Sequence, residues 1–155
     1  DAEVDELLQE ADQELMTGLD ELRALARGIH PAVLTDEGLS AALASLARRA
    51  TVPVEIKAVP EERLAAPVEA AAYFVASEAL ANVAKHAHAS IVTISVTQND
   101  GWVRLEVADD GVGGADAGRG SGLSGLRDRV EALDGHLEVV SPATGTTLRA
   151  DFPCA

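Results

Sequence analysis

Val68-Glu-Ala-Ala-Ala-Tyr-Phe-Val-Ala-Ser-Glu-Ala-Leu-Ala-Asn-Val-Ala-Lys-His86 is a largely apolar run interrupted by four polar groups, Glu78, Asn82, Lys85 and His86. Pro67 suits the first turn of a helix, where its missing N–H costs nothing. Wound at about 100° per residue, those four side chains fall within an arc of about 100°, and Tyr73, Ala76, Leu80 and Val83 are expected on the opposite side. A carboxylate that can take a proton, an amide oxygen suited to a hard cation, and an ammonium and an imidazole suited to phosphate oxygens therefore converge. This set fits Mg-nucleotide chemistry. An amide in mid-helix also loses helix propensity and needs a partner if buried, which singles out Asn82.

Two glycine clusters lie downstream. Asp109-Asp-Gly-Val-Gly-Gly114 follows the alternating run Trp102-Val-Arg-Leu-Glu-Val107 and is expected to form the loop at a strand end, where glycine lets the backbone approach a ligand. Gly120-Ser-Gly-Leu-Ser-Gly-Leu126 leads into Arg127-Asp-Arg-Val-Glu-Ala-Leu133, which reads as a helix start with free N–H groups facing phosphate. Either cluster alone is a weak sign, because a single Gly-x-Gly is usually a turn. Zinc-ligand spacing and a serine-hydrolase elbow are absent. Gly120-Ser-Gly-Leu lacks the Gly-Lys-Ser/Thr ending of a lysine-containing phosphate loop.

Upstream, Val4, Leu8, Ala11, Leu15, Gly18, Leu22, Leu25 and Ile29 are spaced alternately by four and three, a heptad seam that packs against a partner or against its own domain. Pro31 ends that helix. Thr35 is expected to cap a second helix whose Leu39, Ala42, Leu43 and Leu46 share a face, and Val52 to Val59 reads as an edge-like strand. Strands are expected near Ser90 to Thr97, Trp102 to Ala108, His136 to Ser141 and Thr146 to Phe152, with a helix from Ser124 to Leu133. Asn99-Asp-Gly101 and Pro142 to Gly145 favour hairpins. The expected architecture is an α/β two-layer sandwich: a mixed sheet with helices on one face, preceded by the heptad-patterned helix. The division falls at residues 1–31 and 32–155.

At 155 residues the chain can bury a real core, built from Ala, Val and Leu because aromatics make up only 3%. Its net charge of −14 opposes nucleic acid and anionic membrane surfaces. A nucleotide is also an anion, but screening over about 8 Å lets a local cation with Lys85, His86 or Arg127 outweigh the global charge. The single Cys154 cannot form an internal disulfide, and a reducing cytoplasm is the expected setting. No apolar run reaches the roughly twenty residues needed to cross a bilayer. The acidic start within a helical pattern suggests a piece of a longer chain, with any membrane sensor upstream and Asp151–Ala155 as a natural end.

Together these pieces resemble the ATP-binding domain of sensor histidine kinases, in the superfamily that includes gyrase-type and mismatch-repair ATPases. Glu78-x-x-x-Asn82-x-x-Lys85-His86 looks like the family's N box, Asp109-x-Gly111-x-Gly113 and Gly120-x-Gly122-Leu123 like its two glycine boxes, and Gly145-Thr-Thr-Leu148 like its terminal threonine motif. Lys85-His86 and the short span between Gly113 and Gly120 resemble the nitrate-sensor-like subfamily with its short ATP lid.

The resemblance implies ATP and Mg²⁺ as ligands, with Asn82 as the metal ligand and Glu78 accepting or orienting the proton that leaves the attacking histidine. It implies that Asp109 accepts from the adenine amino group, and that Thr146 supports the base directly or through water. Gly111, Gly113, Gly120, Gly122 and Leu123 would then border the nucleotide. Lys85 and His86 would contact phosphate, although their place in the last helical turn also offsets the helix dipole. Asp110 is expected as a turn or solvent residue and Thr147 as a plain strand residue, and His88 and His136 receive no role.

Residues 1–31 resemble the C-terminal helix of a dimerisation region that ends at Arg27-Gly-Ile-His-Pro31. His30 has no adjacent carboxylate and is not expected to accept phosphate. The acceptor helix would lie upstream, so this chain is expected to bind ATP without labelling itself. Implied partners are that acceptor helix in a homodimer and a response regulator with a helix-turn-helix output domain; no nucleic acid or membrane contact is expected. The alternatives are an anti-sigma-factor-type serine kinase, against which the heptad helix argues, and a non-catalytic ATP-dependent interaction module, against which Glu78 argues.

Overall fold

A computed structural model describes residues 31–114 and 121–154, together with scattered helical positions between Val4 and Leu22. The chain divides into two compact units, Asp1–His30 and Pro31–Ala155. In the first, the seam positions Val4, Leu8, Ala11, Leu15, Gly18 and Leu22 are helical. Val4, Leu8, Leu15 and Leu22 are between 51% and 66% exposed. Leu25, Ile29 and His30 lie outside the described residues.

The second unit runs α1 (Ala32–Glu37), α2 (Leu39–Arg49), β1 (Val54–Ala58), α3 (Ala66–Asn82), a π-helical turn (Val83–Ala87), β2 (Val92–Asn99), β3 (Trp102–Val112), α4 (Ser121–Glu131), β4 (His136–Val140) and β5 (Thr144–Pro153). The strands form one sheet in the order β1-β2-β3-β5-β4. β1 is an edge strand, as its proline-flanked sequence suggests, and it pairs parallel with β2. A parallel pair needs a long crossover, which α3 supplies. The remaining pairs are antiparallel. Asn99 pairs with Trp102 across Asp100 and Gly101, whose φ angles of 48° and 81° are those of a tight type I′ hairpin.

Alternation assigns the two faces. Val92, Ile94 and Val96 of β2, Val103, Leu105 and Val107 of β3, and Leu148, Ala150 and Phe152 of β5 are buried beneath the helices. Each large aliphatic or aromatic side chain so buried is worth about 1.5–3 kcal/mol. The opposite face carries ion pairs, Arg104 with Asp151 and Arg149 with Glu106 and Glu138. This is the expected two-layer mixed sandwich.

Three local readings change. Thr35 lies inside α1, and α2 starts after Gly38, which has no capping side-chain bond. The Leu39, Ala42, Leu43 and Leu46 face is nonetheless turned to the core. The first glycine box is not a loop: Asp109 to Val112 continue β3, with a register shift against β5. Strand pairing extends there because the Asp110 carboxylate ties the strand to the chain entering β2. It accepts from the Ser90 N–H at 2.8 Å, the Ile91 N–H at 3.1 Å and the Ser90 hydroxyl. The Ser90 hydroxyl, then those N–H groups, hold the Asp110 carboxyl below the usual carboxylate range. α4 begins at Ser121 rather than near Ser124, so exposed Arg127 sits beyond the first turn.

α3 is buried on all sides from Val68 to Ala76, which includes one charge the sequence did not flag. Glu69, 2% exposed, accepts from Arg63 Nη2 at 2.8 Å and Nε at 3.0 Å and from the Leu64 N–H at 3.1 Å. Arg63 Nη2 also donates to the carbonyls of Leu34 and Thr35, so a buried carboxylate and the end of α1 share one guanidinium.

Candidate functional site

One cross-strand row places the polar end of the site. Asp109 is the register partner of Val92 on one side and Thr146 on the other. Thr146 Oγ1 lies 2.8 Å from the Ser141 hydroxyl at the end of β4. One row deeper, Val107 pairs with Leu148, which pairs with Val139. These residues, with Ala79, Val83, Ala87 and Leu123, give apolar walls to a cavity of about 490 Å³ that also takes in Asn82, His86, Asp109, Gly113, Gly122 and Thr146. The Gly111 N–H donates to Asp109 Oδ1 at 2.8 Å and fixes the carboxylate at the rim.

The π-helical turn explains where the helix-wheel reading fails. Its i→i+5 winding widens the turn over Val83–Ala87. Val83, expected on the far side, lines the cavity together with Asn82, His86 and Ala87. Lys85, expected beside them, is exposed and does not line it. His88 closes the turn in a left-handed conformation, φ 49°, and is exposed. Glu78 is half-buried at the start of α4: its Oε1 lies 2.9 Å from where a Cβ on Gly122 would stand.

Backbone approach accounts for two glycines. A Cβ at Gly111 would come within 2.1 Å of the Ala87 carbonyl oxygen, and one at Gly113 within 1.6 Å of the Pro142 carbonyl oxygen. Gly120 lies outside the described residues. Of the apolar walls, sequence reasoning assigned only Leu123 to the site, and it missed Ser141. For Val107 and Leu148 a signal existed, since each stands two residues from a flagged polar group and so shares its face.

The arrangement suits a flat, apolar-faced group with a hydrogen-bonding edge at Asp109 and Thr146 and a charged extension toward Asn82, His86 and α4. Among the described residues no cluster of three or more His, Cys, Asp or Glu side chains could hold a metal ion. A cation here would draw most of its ligands from a bound phosphate chain and water. The Asn82 amide oxygen would supply a protein ligand, which fits the ligation habit of Mg²⁺.

The family described as histidine kinase-, DNA gyrase B-, and HSP90-like ATPase matches residues 68–155. Sensor histidine kinase MctS of Rhizobium johnstonii is 35% identical over 144 residues, covering 86% of this chain and 31% of that protein. Oxygen sensor histidine kinase NreB of Staphylococcus carnosus is 32% identical over 145 residues, covering 87% and 42%. The histidine kinase domain of the Erythrobacter litoralis EL346 blue-light activated histidine kinase superposes with a TM-score of 0.60 at 25% identity, covering 76% of this chain and 58% of that one. The chain thus spans well under half the length of these curated relatives.

Proposed function

The chain belongs to the histidine kinase-, DNA gyrase B- and HSP90-like ATPase family as the ATP-binding catalytic domain of a sensor histidine kinase, and we propose that it passes the γ-phosphoryl group of ATP to a histidine on an upstream dimerisation helix. The observation that carries this reading is the convergence of Asn82, Asp109 and Thr146, distant in sequence, on one apolar-walled cavity. From the phosphohistidine, an aspartate of a response regulator with a helix-turn-helix output domain would take the group. Relatives named as sensor histidine kinases set aside the serine-kinase alternative.

Within this reading each residue has a stated task. Asp109 accepts from the adenine amino group and Thr146 supports the same edge, while Val107, Val139 and Leu148 exclude water from the ring faces. Asn82 would hold Mg²⁺, which when bound neutralises phosphate charge. His86 contacts the phosphate chain; Lys85, exposed beside it, acts on phosphate only by reaching back over the turn. As the acceptor imidazole nitrogen bonds to the γ-phosphorus and the bond to the departing ADP oxygen breaks, Glu78 takes the proton from the other ring nitrogen.

Residues 1–31, whose described seam residues are helical and, apart from half-buried Gly18, exposed, serve as the second dimerisation helix in a homodimer. Among the described residues no helix is long and apolar enough to cross a membrane. A cytoplasmic setting for this part is our reading.

The deciding experiment supplies the chain with an acceptor-helix protein and γ-labelled ATP and maps acid-labile phosphate. Label is expected on the acceptor histidine and not on His30, and Glu78→Gln is expected to slow transfer about 100- to 1,000-fold with ATP affinity kept. Transfer unchanged in Glu78→Gln removes the proton-accepting role, and label on His30 makes the chain a complete kinase core.

Base recognition is tested separately. Asp109→Asn presents an amide whose NH₂ group can face a purine carbonyl, so ATP affinity is expected to fall about 10- to 100-fold and preference over GTP to shrink. Equal binding of ATP and GTP by the unaltered chain, or an undiminished ATP affinity in the variant, contradicts the adenine reading.

A further inference from the structure

We propose that Asp110 is a positioning residue for base recognition: tied to Ser90 and Ile91, it holds the end of β3 so that the Asp109 carboxylate meets a 6-amino purine at a fixed angle. The inference rests on the adenine reading of Asp109. The stretch that must aim Asp109 lacks the ladder that ordinarily fixes a strand. On one side the register ends with Val92 opposite Asp109. On the other, Asp109 faces Thr146 and the next pair is Val112 with Thr144, so neither Asp110 nor Gly111 has a register partner.

A side chain takes over from the ladder there. Asp110 Oδ1 accepts from the Ser90 N–H at 2.8 Å and the Ile91 N–H at 3.1 Å, and Oδ2 accepts from the Ser90 hydroxyl. These donors, the hydroxyl foremost, hold the carboxyl below its usual range, so it is ionised at neutral pH and only accepts. Ser90 and Ile91 stand immediately before Val92, and the carboxylate thus extends the join between β2 and β3 past its last register pair. Gly111 docks on the same segment: a Cβ there would come within 2.1 Å of the Ala87 carbonyl oxygen. Its N–H donates to Asp109 Oδ1 at 2.8 Å. The donor that orients Asp109 is therefore itself placed by the contacts of residues 110 and 111 with residues 87–91.

An ionised carboxylate selects a purine with a 6-amino group only while its direction is fixed. Held by Gly111, Asp109 meets the amino group of adenine and opposes the 6-oxo group of hypoxanthine. Next to that oxo group hypoxanthine presents N1–H, a donor. With Asp110 untied, residues 110 and 111 swing away from Ser90, the Gly111 N–H leaves Asp109, and the loosened carboxylate turns to N1–H as readily as to an amino group. Selectivity then falls, because the reward for adenine shrinks and the penalty against the oxo base is evaded. Asparagine in place of Asp110 keeps the tether. Its amide oxygen accepts from both N–H groups, and its NH₂ donates to the Ser90 hydroxyl oxygen, which changes from donor to acceptor.

The test compares Mg²⁺-supported binding of ATP and inosine triphosphate by calorimetry, in the unaltered chain, Asp110→Ala and Asp110→Asn. The ratio of the two affinities is expected to fall about tenfold in Asp110→Ala, the worth of one hydrogen bond to a charged group, and to stay within about twofold of the parent in Asp110→Asn. Loss of folded protein, or loss of one negative charge, changes both nucleotides alike and leaves the ratio unmoved, so a purely structural or long-range electrostatic role is separable. Should Asp110→Ala not fold, Asp110→Val keeps strand propensity without an acceptor and is expected to lower the ratio likewise. A selective parent whose ratio is undiminished in Asp110→Ala, or in Asp110→Val where that variant stands in, overturns this inference alone. So does a ratio that falls as far in Asp110→Asn as in Asp110→Ala, since the tether is kept there. A parent that binds both nucleotides equally overturns the Asp109 reading and this inference with it.

Discussion

Asn82→Ala is expected to cost at least about a hundredfold in Mg²⁺-dependent ATP affinity while the domain stays folded. The loss should be that large because the protein offers the cation so little else: among the described residues there is no acidic or histidine cluster able to hold it. Fold retention follows from position. Asn82 is the last α-helical residue of α3, half-buried at the cavity wall, and alanine has the higher helix propensity. Two titrations read the result, ATP with Mg²⁺ and ATP with EDTA, alongside a thermal melt. The unaltered chain should show a large gap between the two titrations and Asn82→Ala almost none. A folded variant that keeps the gap shows that the ligand lies elsewhere, with Glu78 the next residue to replace.

Much of this site was legible because β-structure carries its information in a period of two. Once Trp102–Val107 is read as alternating, Val103, Leu105 and Val107 share the inward face, and Asp109 joins them because β3 runs on to Val112 instead of ending at Ala108 as expected. Once Asn99-Asp-Gly101 is read as a two-residue turn, the register of β2 on β3 follows, and the pairing found has Val92 opposite Asp109. What the sequence did not carry were features made by contact between distant segments. Strand pairing past Asp109 depends on Asp110 meeting Ser90, twenty residues away, so the box looked like a loop. Nothing in Ala65–Val75 says that Glu69 will be buried, because its partner Arg63 lies before the helix and the carbonyls that complete the cluster belong to α1.

The helix wheel failed for a different reason. It assumes 3.6 residues per turn to the end of the helix, and the π-helical turn breaks that assumption at Val83. The residues most affected are the two basic ones. His86 lines the cavity and Lys85 does not: at 3.6 residues per turn the two already stand about 100° apart at the edges of the polar arc, and the smaller rotation per residue of a π-turn carries His86 toward the centre of that arc and Lys85 out of it. A substitution series that treats them as one motif would average a residue that lines the cavity with one that does not. In the same way, the sequence placed α4 about a turn too late, because Gly122 and Gly125 lower helix propensity where the helix in fact begins.

Gly113→Ala is expected to destabilise the nucleotide domain by about 3 kcal/mol and to abolish ATP binding, whereas Gly114→Ala costs about 1 kcal/mol. The order reverses what backbone angles alone suggest. Gly114 has φ +81°, a region costly for alanine, but its added Cβ meets no described atom within 4 Å. Gly113 has no such angle, yet its Cβ would stand 1.6 Å from the Pro142 carbonyl oxygen and 2.7 Å from its carbon. Both obstacles are backbone, so no rotamer relieves them. To make room, the Pro142 turn must separate from the end of β3. That breaks the Gly114 N–H bond to Pro142, and it carries Ser141 and Thr146 away from Asp109. The rim that would read the base is thereby lost together with stability, which ties the two readouts to one cause. Urea unfolding and ATP calorimetry on both variants check this. A Gly113→Ala midpoint within error of the unaltered chain, or a Gly114→Ala variant more damaged than Gly113→Ala, would show that the turn is free to yield and that close packing on Pro142 does not hold the site together.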